Sequence, residues 1–213
     1  MIRKIQTACK LIITGKIKVL FNKTLEYLFF YEKFFILSCL FKEMEVKYKP
    51  RGITSRLAGM SDLNEINRWK DDSGYTFENR DLNDTHICIV AESGGKLVGM
   101  EWAEITESHY EHRNNYNFPL SQDSVWLYCG YVVPEYRIKG VWVGLQTGLI
   151  DYFSTGSVEK GYCLIYKKNK IAINTHIRFG YKVECRVIHL KILFINFHFV
   201  KRFDGKKDAA GKI

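Results

Sequence analysis

Arg137-Ile138-Lys139-Gly140 is a basic turn closed by a glycine, set between two segments of different pattern. Ahead of it, Val125-Trp126-Leu127-Tyr128 and Tyr131-Val132-Val133 have the aromatic and β-branched composition of a strand. Pro134, which cannot donate to a ladder, marks the strand's end. Behind the turn, Val141, Leu145, Leu149 and Phe153 recur about one helical turn apart. Strand, basic turn and helix together make an anion site, because the first N–H groups of a helix lack internal acceptors and its dipole favours negative charge there. Gly140 permits close backbone approach, and Arg137 and Lys139 supply charge, which suits a phosphate. The competing reading is an ordinary connection whose glycine only makes the bend. Carboxylates that could move a proton lie nearby. Glu101 and Glu104 share a predicted strand but point to opposite faces, so only one can look inward. Glu107 and Asp123 flank a polar segment over 108–123. Tyr128 and Tyr131 either line a water path to the reacting group or pack.

The turn resembles motif A of the GNAT superfamily of acyl-CoA-dependent N-acetyltransferases, through Arg137, Gly140 and Leu145 preceded by Val133-Pro134. Trp142 stands where that family carries Gly or Ala. A second stretch, from Asn169 to Tyr181, resembles the family's Asn-x-x-Ala-x-x-x-Tyr-x-x-x-Gly-Phe through Asn169, Ala172, Gly180 and Tyr181, with His176 in the place of Tyr. The resemblance covers roughly Gly52 to Phe199. It implies a GNAT-like α/β fold, a mixed and mostly antiparallel central sheet flanked by helices. It implies acetyl-CoA as co-substrate, with the pyrophosphate held by Arg137, Ile138, Lys139, Gly140, Val141 and Trp142 and a further contact from Asn169. The acyl group would lie in a notch between splayed strands over Trp126–Val133 and Tyr162–Tyr166, with backbone of Tyr131, Val132 and Val133 holding the oxyanion. His176 would protonate the departing thiolate, and Glu101 or a water path past Tyr128 would take the amine proton. Direct transfer needs no covalent enzyme intermediate, so Cys129 reads as structural.

Charge separates the ends of the chain from its middle. The formal net charge is +9, yet residues 51–200 hold seventeen Lys/Arg and seventeen Asp/Glu, so the excess belongs to the two ends. A neutral middle without a nucleic-acid motif argues against a nucleic-acid partner. Six scattered cysteines without a Cys-x-x-Cys pair read as free thiols in a reducing compartment, and no metal site is expected.

The elements that must position these residues follow in order. Residues 1–49 read as a basic, aromatic helical extension, with Ile13, Ile17, Leu20, Thr24 and Leu28 on one stripe. It packs on the domain or a second subunit, or lies on anionic lipid. Residues 50–203 form the catalytic domain and 204–213 a frayed tail. Within the domain the pattern predicts a strand over Ile53–Ala58 and a helix capped by Ser61 or Asp62. A hairpin follows from His86–Glu92 and Lys96–Glu107, then a loop over 108–123. Downstream come strands over Tyr162–Tyr166, Tyr181–Leu190 and Ile192–Val200, with a helix over Lys170–Phe179. The expected function is transfer of an acetyl group to a primary amine of a small molecule or amino sugar, in the cytoplasm or at the membrane periphery, with a homodimer as one assembly. The alternative is a catalytically degenerate domain that binds an anionic membrane or partner through its basic ends.

Overall fold

A computed structural model of the chain describes residues 28–46, 48–73 and 82–203. Its elements are β1 (Phe29–Leu40), β2 (Thr54–Leu57), α1 (Leu63–Ser73), β3 (His86–Ser93), β4 (Lys96–Glu104), β5 (Ser108–Glu111), β6 (Tyr116–Pro119), β7 (Ser124–Val132), α2 (Val141–Phe153), β8 (Lys160–Tyr166), α3 (Lys170–Phe179), β9 (Lys182–Ile192) and β10 (Ile195–Arg202). Eight strands form one sheet in the order β10-β9-β1-β8-β7-β4-β3-β2, and β5–β6 make a separate hairpin. Within the sheet β7 and β8 are parallel, whereas the other neighbouring pairs are antiparallel.

Alternation along the strands explains the layers. Ile87, Ile89 and Ala91 of β3 point to one face, where they pack with Val141, Leu145 and Leu149 of α2 and Ile173 of α3. Cys88 and Val90 point to the other, against Leu63, Ile66 and Trp69 of α1. Further along that second face, Tyr116 and Phe118 of the hairpin cover Trp126, Phe34 and Val187. The mixed, mostly antiparallel sheet with flanking helices is the architecture read from the sequence.

Two local expectations are corrected. The helical reading of 1–49 fails over Phe29–Leu40, which is a strand lying between β8 and β9. Its Phe34-Phe35-Ile36-Leu37 run is buried on both faces, each residue 4% exposed or less. A continuous apolar run of this length suits a central strand covered on both sides, and an amphipathic helix would have needed a polar face. The stripe from Ile13 to Thr24 and the 204–213 tail lie outside the described residues. The 108–123 segment is not a loop throughout. Ser108 to Glu111 pair with Tyr116 to Pro119 around a turn in which Asn115 adopts a left-handed conformation, φ 46°. Tyr110, Tyr116 and Phe118 gave that stretch strand chemistry despite its polar residues.

Because β1 is interior to the sheet, Leu37→Ala should cost about 2–5 kcal/mol in urea unfolding. A cost below about 1 kcal/mol would contradict the central placement of β1.

Candidate functional site

Among the described strands, the sheet comes apart between β7 and β8. β7 and β8 pair from Ser124↔Lys160 to Leu127↔Cys163 and no further. Beyond that level β7 stays with β4 as far as Val132↔Gly99, and β8 stays with β1 as far as Tyr166↔Phe34. The cause is a bulge in β7. Trp102 pairs with Tyr128 and Met100 with Tyr131, so Glu101 faces both Cys129 and Gly130. Cys129 takes φ 54°, a left-handed conformation that a non-glycine residue adopts rarely. An extra residue in one strand bends it and increases its twist, and here β7 leaves β8 behind.

The turn that follows β7 stands at the mouth of this opening. The Val133 N–H donates to Val98 O at 3.0 Å, and the chain then tightens through Tyr136 N–H to Val133 O and Arg137 N–H to Pro134 O. Ile138 (φ 65°) and Gly140 (φ 81°) are both left-handed, which aims α2 back across the sheet. The first helical bond of α2 runs from Gly144 N–H to Gly140 O at 3.0 Å, so the N–H groups of Val141, Trp142 and Val143 have no acceptor within the helix. Arg137 and Lys139 are exposed beside them. The Arg137 Nε donates to Val132 O at 3.3 Å, and the Lys139 ammonium lies 4.7 Å over the Tyr136 ring.

The structure assembles some of the expected residues and disperses others. Glu101, Tyr128, Tyr131 and Val132 border the opening, and Arg137 to Val141 form its mouth. Glu101 is 3% exposed on the α2 face, where Gln146 Nε2 donates to its carboxyl at 2.6 Å. Burial pushes the Glu101 carboxyl up to about 8, against a smaller downward pull from Gln146. Tyr128 lies on the opposite face, stacked against Trp102 at 6.3 Å. Glu104 is also turned to that face, where His109 Nδ1 donates to it at 2.8 Å and His86 Nε2 stands 3.6 Å away. Glu107 and Asp123 are exposed away from the opening, Asp123 at the start of β7 accepting from Glu159 and Lys160 N–H. Strand alternation and the histidine contacts keep these carboxylates apart, with Glu101 alone turned to the α2 face.

His176 is corrected as an acid. It is 9% exposed, and its Nδ1 donates to Ala172 O at 2.8 Å, which leaves Nε2 without a proton in the neutral ring. Burial draws its pKa down to about 4, so near neutral pH the imidazolium is absent. The ring packs instead between Trp142 at 4.6 Å and Tyr181 at 4.8 Å. Trp142 also meets Phe179 at 5.1 Å, so its side chain fills the space between α2 and α3 and does not crowd the basic turn. Asn169 caps α3, its Oδ1 accepting from Ala172 N–H at 3.1 Å. The Val133 N–H, spent on Val98, is unavailable to an oxyanion. Gly140 is held for a structural reason besides its φ: a Cβ there would come 2.7 Å from Pro50 Cβ.

Gln146 and Tyr181 border the same interior and were not singled out from the sequence as site residues. Tyr181 OH donates to Gln146 Oε1 at 2.6 Å. The signal was present in α2, where Gln146 follows Leu145 on the buried side of an otherwise apolar helix.

No protein-family profile matches this chain, and no curated protein matches it. Solved structures do match its fold. A functionally unknown conserved protein from Staphylococcus epidermidis superposes with TM-score 0.54 at 15% identity, covering 83% of this chain and 68% of that one. A GCN5-related N-acetyltransferase from Kribbella flavida gives 0.54 at 12% identity, covering 78% and 61%. A GCN5-related glucosamine N-acetyltransferase region of a fungal multi-domain GH3 β-N-acetylglucosaminidase gives 0.54 at 17%, covering 87% of this chain and 23% of that one. Among the described strands the sheet opens at its one parallel pair, with a helix amino terminus at the mouth, in a mixed α/β architecture. The chain has the GNAT fold, as its two motifs implied.

The buried carboxyl gives a test with a definite sign. The folded-state pKa of Glu101 lies above the ordinary 4.5, so its contribution to stability is full below that value and is lost as pH rises through about 8. Glu101→Gln should remove this loss. Between about pH 5 and about pH 9 its melting temperature should fall less than that of the parent, by at least about 4 °C. Parallel curves for the two proteins would show that Glu101 titrates normally.

Proposed function

We propose that this chain is a GNAT-type N-acetyltransferase that moves an acetyl group from acetyl-CoA to a primary amine of a small molecule or amino sugar, by direct attack in a ternary complex. One observation carries the reading: the sheet opens at the β7 bulge, and the amino terminus of α2 faces its mouth with Arg137 and Lys139 beside it. The residues fit the phosphate end of the co-substrate, since three helix N–H groups and two exposed cations converge on one spot. When bound, acetyl-CoA supplies an acyl thioester activated for attack.

The chain's own residues supply placement and proton transfer. The side chains of Arg137 and Lys139 and the N–H groups of Val141 to Val143 hold the anionic end. Glu101, as the carboxylate, takes a proton from the acceptor ammonium at the opening. Its raised pKa makes it a stronger base than an exposed glutamate, at the cost of a smaller ionised fraction near neutrality. The bulge at Cys129–Gly130 turns backbone out of the regular ladder beside Glu101, and Gly130 N–H is the donor we assign to the developing oxyanion. Trp69, Tyr131, Trp102 and Tyr128 form an aromatic wall on the α1 face, which suits an amine through cation–π attraction. We place the activity in the cytoplasm. Among the described residues no helix is long and apolar enough to cross a membrane.

A second reading, a degenerate domain that docks on an anionic membrane, rests on the outer hairpin. Ile195 (61%), Phe197 (41%) and Phe199 (58%) of β10 are exposed on one side of the strand, which ends in Lys201 and Arg202.

Calorimetry with acetyl-CoA separates the two. Binding should be measurable below millimolar ligand, and Arg137→Ala combined with Lys139→Ala should weaken it on the order of tenfold or more, with the loss shrinking in high salt. Absence of binding at millimolar acetyl-CoA, with flotation on anionic liposomes, would replace the enzyme by the docking domain.

A further inference from the structure

A hydrogen-bonded chain of side chains runs along the α2 face of the sheet, from the level of the β7 bulge back to the level where β7 and β8 are still paired. It starts at Glu101 on β4, opposite the bulge, and passes to Gln146 of α2 through a 2.6 Å bond from Nε2. From Gln146 Oε1 it continues to Tyr181, just ahead of β9, through a 2.6 Å bond donated by the phenol. It ends at that phenol, which lies beside the Cys39 thiol of β1. Its members are at most 3% exposed.

We propose that Gln146 and Tyr181 form a strap that positions the Glu101 carboxyl at the opening. The catalytic part of this inference rests on the acetyltransferase reading, in which Glu101 is the base. The direction of each bond follows from donor chemistry. A phenol donating to Gln146 Oε1 fixes the amide so that its NH₂ can only point at Glu101. A carboxylate is thereby given a donor, which favours its charged form over what burial alone would leave.

Cys39, Cys163 and Tyr181 share the α2-face interior with Glu101, and Cys129 stands opposite it on β7. Burial pushes Cys39 of β1 up to about 12, and Cys163 of β8 and Tyr181 well above their ordinary values. His176 of α3, against Tyr181, is neutral above about 4.

The test follows the carboxyl directly, in the full chain without substrate, by NMR of glutamate labelled with ¹³C at the side-chain carboxyl. Glu101→Gln assigns the resonance. In the parent its inflection should fall near 8. Gln146→Leu should move it upward, because a donor to the carboxylate is lost. Tyr181→Phe should move it the same way by less, since Gln146 keeps its place but loses its fixed orientation. The double variant should match Gln146→Leu, because Tyr181 acts only through Gln146. Inflections unchanged in both single variants, or a parent inflection at the ordinary 4.5, would overturn the strap. The same samples give the pH dependence of kcat with acetyl-CoA and an amine. An inflection in kcat that shifts in step with the resonance supports the positioning role. A resonance that shifts while no acetyl transfer occurs leaves the strap standing and removes the acetyltransferase reading. Should Gln146→Leu fail to fold, Gln146→Glu keeps the volume. A second carboxyl at 2.6 Å cannot ionise together with Glu101, so the pair should titrate in two separated steps.

Discussion

The single parallel pair, β7 beside β8, is the constraint on which the rest of the structure depends. Two parallel neighbours cannot be joined by a hairpin, so the chain must cross over, and α2 is that crossover. A crossover helix starts where its first strand ends, which brings the amino terminus of α2 to the carboxyl end of β7. Parallel strands of this kind leave a crevice at their carboxyl ends when they part, and the bulge at Cys129–Gly130 makes them part after four pairs. Anion-binding N–H groups, basic turn and crevice are thus consequences of one topological choice and one extra residue.

Opening a sheet leaves interior that must be filled without stranding polar backbone. The structure fills it unequally on its two faces. On the α1 face aromatic rings take the space, with Trp69 on Tyr131 and Trp102 on Tyr128. On the α2 face the filling is polar and hydrogen-bonded, through Glu101, Gln146 and Tyr181. A buried carboxyl is costly, and a fully partnered network is what keeps the cost tolerable.

The basic turn and its flanking elements were legible in the sequence, and the buried partners of Glu101 were not. The strand before Pro134, the helix from Val141 and the glycine turn between them are local patterns, set by residue types within about twenty positions. They were read correctly, as were α3 from Lys170 to Phe179 and the His86 hairpin. The buried strand Phe29–Leu40 was misread because a strand covered on both faces loses the alternation that identifies it, and its partners lie more than a hundred residues away. His176 fell at the motif position of an acid, yet its burial is decided by Trp142 and Tyr181, which no spacing rule connects. Gln146 and Tyr181 are thirty-five residues apart and meet only in the folded interior.

A crystal structure of the chain with CoA tests the central claim, that the bulge-split pair and the α2 amino terminus form one acyl-CoA site. The account predicts phosphate oxygens on the N–H groups of Val141 to Val143 and near Arg137 and Lys139, with the thiol end between Tyr128–Val132 and Leu164–Tyr166. CoA bound elsewhere on the fold, or with its thiol end outside that opening, would contradict it.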